Sequence, residues 1–93
     1  MRLKAKEIDS IKKVINQFFK DAQIYIYGSQ LDDSKRGGDI DIYIIPKDRE
    51  KLLQKESKIK FLLQHMLYKP IDILIHRDFA KDIEKEAQKG VKI

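Results

Sequence analysis

Residues 39–46, Asp-Ile-Asp-Ile-Tyr-Ile-Ile-Pro, put carboxylates into an otherwise apolar, β-branched run. Such a run reads as a strand, and Pro46 stops it. Side chains alternate faces along a strand, so Ile40, Ile42 and Ile44 supply a core face. Asp39, Asp41 and Tyr43 share the other face, with the two aspartates about 6.6 Å apart along the chain. A third carboxylate, Asp72, sits between Ile71 and Ile73 at the start of Ile-Asp-Ile-Leu-Ile. If these strands are neighbours in register, three carboxylates meet on one face. Like charges there raise one another's pKa values, and a cation removes the penalty. Oxygen donors without cysteine favour Mg²⁺ or Mn²⁺. Each aspartate alone reads as well as a turn or cap residue. The trio behind Gly37 and Gly38 is harder to explain that way.

Gln23–Tyr27 is β-branched and aromatic, and it ends at Gly28-Ser29. It reads as an earlier strand. Glycine lets the backbone turn sharply and a ligand approach closely. A helical turn starting at Ser29 presents free N–H groups to an anion, and Ser29 adds a hydroxyl. Alone, Gly-Ser after a strand is an ordinary turn. Its place just before the aspartate pair makes Gly28 and Ser29 candidates for holding a phosphate beside a metal.

The rest of the chain supplies cover for these strands. Ile8, Ile11, Ile15 and Phe18 recur at steps of three and four, which predicts a helix from about Ala5 to Lys20. Residues 29–38 read as a short helical turn and a polar loop. Lys35 and Arg36 in that loop are candidate phosphate contacts, against an ordinary exposed role. Asp48 is expected to cap a long helix with Leu52, Leu53, Ile59, Leu62, Leu63 and Met66 on its apolar face, ended by Pro70. Residues 71–75 are the third strand. Asp78 is expected to cap a last helix with Phe79, Ile83 and Ala87 inward, and Gly90 to close it in a left-handed cap. The order α-β-loop-β-α-β-α predicts an α/β or α+β fold, a small sheet covered by helices. His65 reads as a surface residue and His76 as a strand-end structural residue, with Arg77 beside it. Tyr25, Tyr27, Tyr43 and Tyr68 read as packing residues, although Tyr43 shares the aspartate face.

The 93 residues set the expectation of one domain over 1–93. There is no cysteine, hence no disulfide or thiolate site, which fits a cytoplasmic location. No apolar run approaches the roughly 18 residues of a membrane span, and no signal peptide is read at the N-terminus. The net charge of +5 comes mostly from lysines interleaved with acids. Such interleaving reads as solvated faces, and direct nucleic-acid binding is disfavoured by the lack of a basic stripe or stacking motif.

Residues 27–44 resemble the nucleotidyltransferase signature: Gly-Ser, a spacer, then hydrophobically flanked Asp-x-Asp. Lys69–Ile75 resembles its third-carboxylate strand, and residues 77–93 look like the last helix and tail of the minimal nucleotidyltransferases. The closest likeness is to small proteins paired with a HEPN-domain toxin, for which they act as antitoxins. The resemblance implies a polymerase β-like mixed sheet and AMP transfer from ATP, with two Mg²⁺ ions, to a hydroxyl of the HEPN toxin, expected to be a tyrosine. It assigns Gly28 and Ser29 to nucleotide phosphate and Asp39 and Asp41 to metal. Asp72 falls at the general base, which can also touch metal. Gly38 departs from the serine the family often has before the first aspartate. The alternative reading is an antitoxin that neutralises its partner by occlusion without catalysis.

Overall fold

The computed structural model describes residues 1–32, 34 and 38–93. The candidate phosphate contacts Lys35 and Arg36 lie outside the described residues. Helix α1 spans Ala5–Phe18. Strand β1, Gln23–Tyr27, runs into a single 3-10 turn, Gly28–Leu31. Strand β2, Ile40–Ile45, is followed by α2, Leu52–Leu67, and β3, Ile71–Ile75. Helix α3, Asp82–Gln88, leads into a two-residue strand β4, Val91–Lys92. The sheet order is β3-β2-β1-β4. β1 is antiparallel to β2 and β4, whereas β2 and β3 are parallel. This is a small α+β fold with a mixed sheet, as the element order predicts. No helix among the described residues is long and apolar enough to cross a membrane.

The alternation in β2 sets the layers. Ile40, Ile42 and Ile44 are fully buried, packed with Ile24 and Ile26 of β1 and Ile71 and Ile75 of β3. Helices α1 and α2 close this face through Ile11, Ile15, Ile59 and Leu63, all without solvent exposure. Each such side chain contributes about 1.5–3 kcal/mol by leaving water. The α1 stripe is the one its spacing predicts, although the helix stops two residues earlier than expected. There Asp21 adopts a positive φ of 59°, and its N–H donates to Asn16 Oδ1 at 3.3 Å.

Five expectations about helix ends and faces need correction. Asp48 does not cap α2. Its carboxylate accepts from the Glu50 N–H at 3.0 Å, and Lys51 in the left-handed region delays the helix to Leu52. A side chain committed to a turn two residues on is the usual rival of a cap. Asp78 behaves alike, accepting from the Ala80 N–H at 2.9 Å, and Lys81 precedes α3 instead. Leu53 and Met66 are exposed, so the α2 apolar face is narrower than the sequence implies.

In α3 the inward residues are Glu84 and Ala87, while Ile83 faces out, and Phe79 lies exposed in the turn before the helix. Successive helix positions differ by about 100°, so an inward Glu84 turns Ile83 away. Gly90 is not in a left-handed cap either. A Cβ there would strike the Ile26 carbonyl, and the absence of one lets the chain return against β1 as β4.

Gly90→Ala is therefore expected to destabilise the fold by about 1–3 kcal/mol through overpacking against β1, read as a lower urea midpoint.

Candidate functional site

The face opposite the isoleucines carries the polar residues. In register, Tyr27 of β1 stands beside Asp41 of β2, and Asp41 beside Asp72 of β3. One row across three strands thus brings two of the three predicted carboxylates together. Burial pushes the Asp41 carboxyl up from the ordinary value. The charges of Asp72 and Asp39 push it further, and so does a hydrogen bond shared with Asp72. Asp39 stands one residue before β2, exposed to solvent, and acts on Asp41 through charge. Among the described residues, no three acidic or imidazole groups are gathered into a cluster able to hold a metal ion.

The Gly-Ser turn closes over this row. Gly28 has a φ of 76°, and a Cβ there would collide with Asp41 Oδ2. Only glycine gives both the backbone angle and the room. Ser29 Oγ lies 3.5 Å from the Asp39 carbonyl oxygen, and Gln30 Nε2 donates to the same oxygen at 3.3 Å. Gly38, with a φ of 93°, lets the returning chain pass close to Ser29, since a Cβ there would stand 3.2 Å from its hydroxyl. The turn and the start of β2 are therefore tied together, so Gly28, Ser29, Asp39 and Asp41 occupy one neighbourhood with Asp72.

Sequence reasoning missed two residues of that neighbourhood. From the sequence Tyr27 reads as a packing residue, yet it is half-buried in the carboxylate row. Burial raises its phenol pKa, with further contributions from Asp41 and Asp72. The alternation in β1 puts Tyr27 on a face, but only the β1–β2 register shows that the face is this one. Gln30 is 1% exposed, and its Oε1 has no hydrogen-bond partner. Nothing in its sequence surroundings distinguishes it from a loop glutamine.

Tyr43 shares the aspartate face but is wholly buried under α3, so it packs rather than lining an open site. Its hydroxyl donates to Glu84 Oε1 at 2.7 Å. The same carboxylate oxygen lies 2.7 Å from His76 Nδ1. The other oxygen accepts from the N–H groups of Arg77 and Asp78 at 2.9 and 2.8 Å. Burial alone would raise the Glu84 pKa. The Asp78 N–H, His76, Tyr43 and the Arg77 N–H outweigh it and bring it to about 2. His76 has the strand-end structural role expected of it, pinned to Glu84 and stacked on Phe79 at 3.7 Å. His65 is exposed on α2, its ring tilted against that of Phe61 with centroids 4.4 Å apart.

The model of the nucleotidyltransferase domain family matches residues 8–93. The chain belongs to that family. Compared with curated proteins, it finds no match. Domains of this family generally use Mg²⁺ and a nucleoside triphosphate, and general nucleotidyl transfer is the activity that membership supports.

Two stability measurements follow from the charges. The pKa of Asp41 is raised on folding, so its ionised form opposes folding and stability is lost as pH rises through that pKa. Asp41→Asn is expected to melt above wild type at pH 7 in EDTA, the difference closing below pH 3.8, the carboxyl's ordinary value. Glu84 has the opposite sign. Its pKa falls from 4.5 to about 2, so its contribution is full above pH 4.5 and disappears as pH drops towards 2. Glu84→Gln is expected to flatten the pH dependence of unfolding free energy across that window.

Proposed function

We propose that this protein transfers AMP from ATP to a hydroxyl of a HEPN-type toxin and so acts as its antitoxin. The observation that carries the reading is the row in which Asp41 and Asp72 stand side by side beneath the Gly28 turn.

The donor set fits a hard divalent cation. Asp41 is strained by two neighbouring carboxylates, which is the repulsion a cation relieves. The donors are carboxylate oxygens, which suit Mg²⁺. Asp41 and Asp72, already side by side, would hold Mg²⁺ with Asp39 drawn in from its exposed place before β2, two ions in this reading, which when bound would neutralise charge on the triphosphate and leaving pyrophosphate. Gly28 offers an uncovered backbone to the phosphates, and Ser29 can exchange its long contact with the Asp39 carbonyl for a phosphate oxygen. Asp72, exposed at the end of the row, accepts the proton of the incoming hydroxyl. The hydroxyl oxygen bonds to the α-phosphorus, the bond to the β-phosphate oxygen breaks, and pyrophosphate leaves.

A tyrosine suits this open row because its hydroxyl extends far from its own backbone. An adenylyl group placed near an RNA-cutting site blocks it by charge and volume. The family resemblance supports the choice of partner, and the cysteine-free composition supports a cytoplasmic setting.

The test mixes protein, Mg²⁺ and the partner with α- or γ-labelled ATP. Label from the α position alone is expected on the partner, with a mass gain of one adenylyl group. Asp41→Ala is expected to lower the rate on the order of a hundredfold or more. If the Asp39→Ala, Asp41→Ala double variant silences the partner as well as wild type does, with no mass gain, neutralisation is by occlusion.

A further inference from the structure

β3 is an edge strand, paired with β2 on one side only. The His76 N–H donates to the Ile44 carbonyl and the Ile40 N–H to the Pro70 carbonyl. In a parallel ladder this register turns the backbone groups of Asp72 and Leu74 towards β2, and those of Ile71, Ile73 and Ile75 outward. Among the described residues, no hydrogen bond reaches those outward groups.

Ile71 is buried, and the part of this edge that forms the floor of a groove is Ile73 to Ile75. Leu52 and Leu53 of α2 wall one side and Ile83 of α3 the other. Leu53 is 67% and Ile83 55% exposed. The cavity, about 200 Å³, is below the roughly 300–1,000 Å³ of small-molecule pockets. Unpaired backbone beside apolar walls matches an extended peptide instead. Arg77 and Lys81 also line the groove, and neither is in an ion pair among the described residues. Of the two acids facing it, Glu84 is already held by Tyr43, His76 and two backbone N–H groups, which leaves Glu56. Glu84 is also buried, so the lining charges that reach solvent are two basic, Arg77 and Lys81, and one acidic, Glu56.

We propose that the β3 edge is a docking groove for an extended, apolar and acidic segment of a partner protein, which adds to the sheet beside β3. A second copy of this chain is the weaker candidate. Pairing β3 with itself antiparallel about Ile73 sets Arg77 opposite Lys69, like charges that repel. An added strand would lie about 4.8 Å beyond β3 and lengthen the row Tyr27, Asp41, Asp72 by one residue of the partner. Delivery of an acceptor hydroxyl along that row rests on the transfer reading above. Docking does not, so binding is measured without ATP.

The probe is a fluorescein-labelled, end-capped peptide, Glu-Glu-Val-Thr-Val-Thr-Val-Glu-Glu, followed by anisotropy against the full chain. Saturable binding is expected, together with slowed amide exchange at Ile73. Two N-methylated peptides, one blocked at the valines and one at the threonines, separate the peptide's edges. One is expected to bind at least about tenfold more weakly and the other to keep its affinity, since only one edge faces β3. The Arg77→Glu, Lys81→Glu variant, or lysines for the glutamates of the peptide, should weaken binding about tenfold or more. Absence of binding, indifference to both N-methylations, or an Ile73 amide already protected in the free protein overturns the proposal. So does a concentration-dependent dimer that protects Ile73. Loss of nucleotidyl transfer with binding intact would count against the transfer reading alone.

Discussion

The parallel pairing of β2 with β3 is the contact on which the rest depends. It joins segments separated by the whole of α2, and its register does two things at once. Ile40, Ile42 and Ile44 fall beside Ile71, Ile73 and Ile75, which builds one side of the core. By the same alternation Asp41 falls beside Asp72 on the other side. Because strand side chains have a period of two, a slip by one residue would put carboxylates into the core and isoleucines into water. The burial that holds the fold therefore also fixes which carboxylates meet.

The face bearing the carboxylates is divided by α3. At one end, Tyr43 and Glu84 are covered and their hydrogen bonds are satisfied. At the other end Asp41 and Asp72 stay open under the Gly28 turn. The carboxylate of Glu84, buried over Tyr43, and the open carboxylate of Asp41, two residues before Tyr43 on β2, experience opposite effects. Donors converge on Glu84, whereas further carboxylates converge on Asp41. The first arrangement is complete within the chain. The second carries unbalanced charge, which makes it the place where a ligand has something to contribute.

Alternation and helical periodicity made most of the architecture legible: the three longer strands, α1, and the common face of Asp41 and Asp72. What the sequence hid was mainly capping and register. Asp48 and Asp78 carry the right side chain for a cap, but the same oxygen satisfies a turn two residues on. Glu84 has the residue type least expected in a core, so the sequence pattern points Ile83 inward instead. Only the tertiary partners Tyr43 and His76 reveal why a carboxylate takes that place. Tyr27 and Gln30 belong to the site through contacts across strands, which local pattern does not encode. β4 is two residues long and too short to carry a pattern.

β4 also bears on how the chain reaches this state. Its pairing of Tyr25 with Lys92 closes a loop that encloses nearly every other element. Closure entropy grows with loop length, and contacts distant in sequence form slowly. The β1–β2 hairpin and the helices around the isoleucines can organise without β4. Until it arrives, the outer edge of β1 is unpaired, and α3 lacks the tether that follows Gly90. The edge that β4 covers is thus expected to close late in folding and to open early when the native state fluctuates.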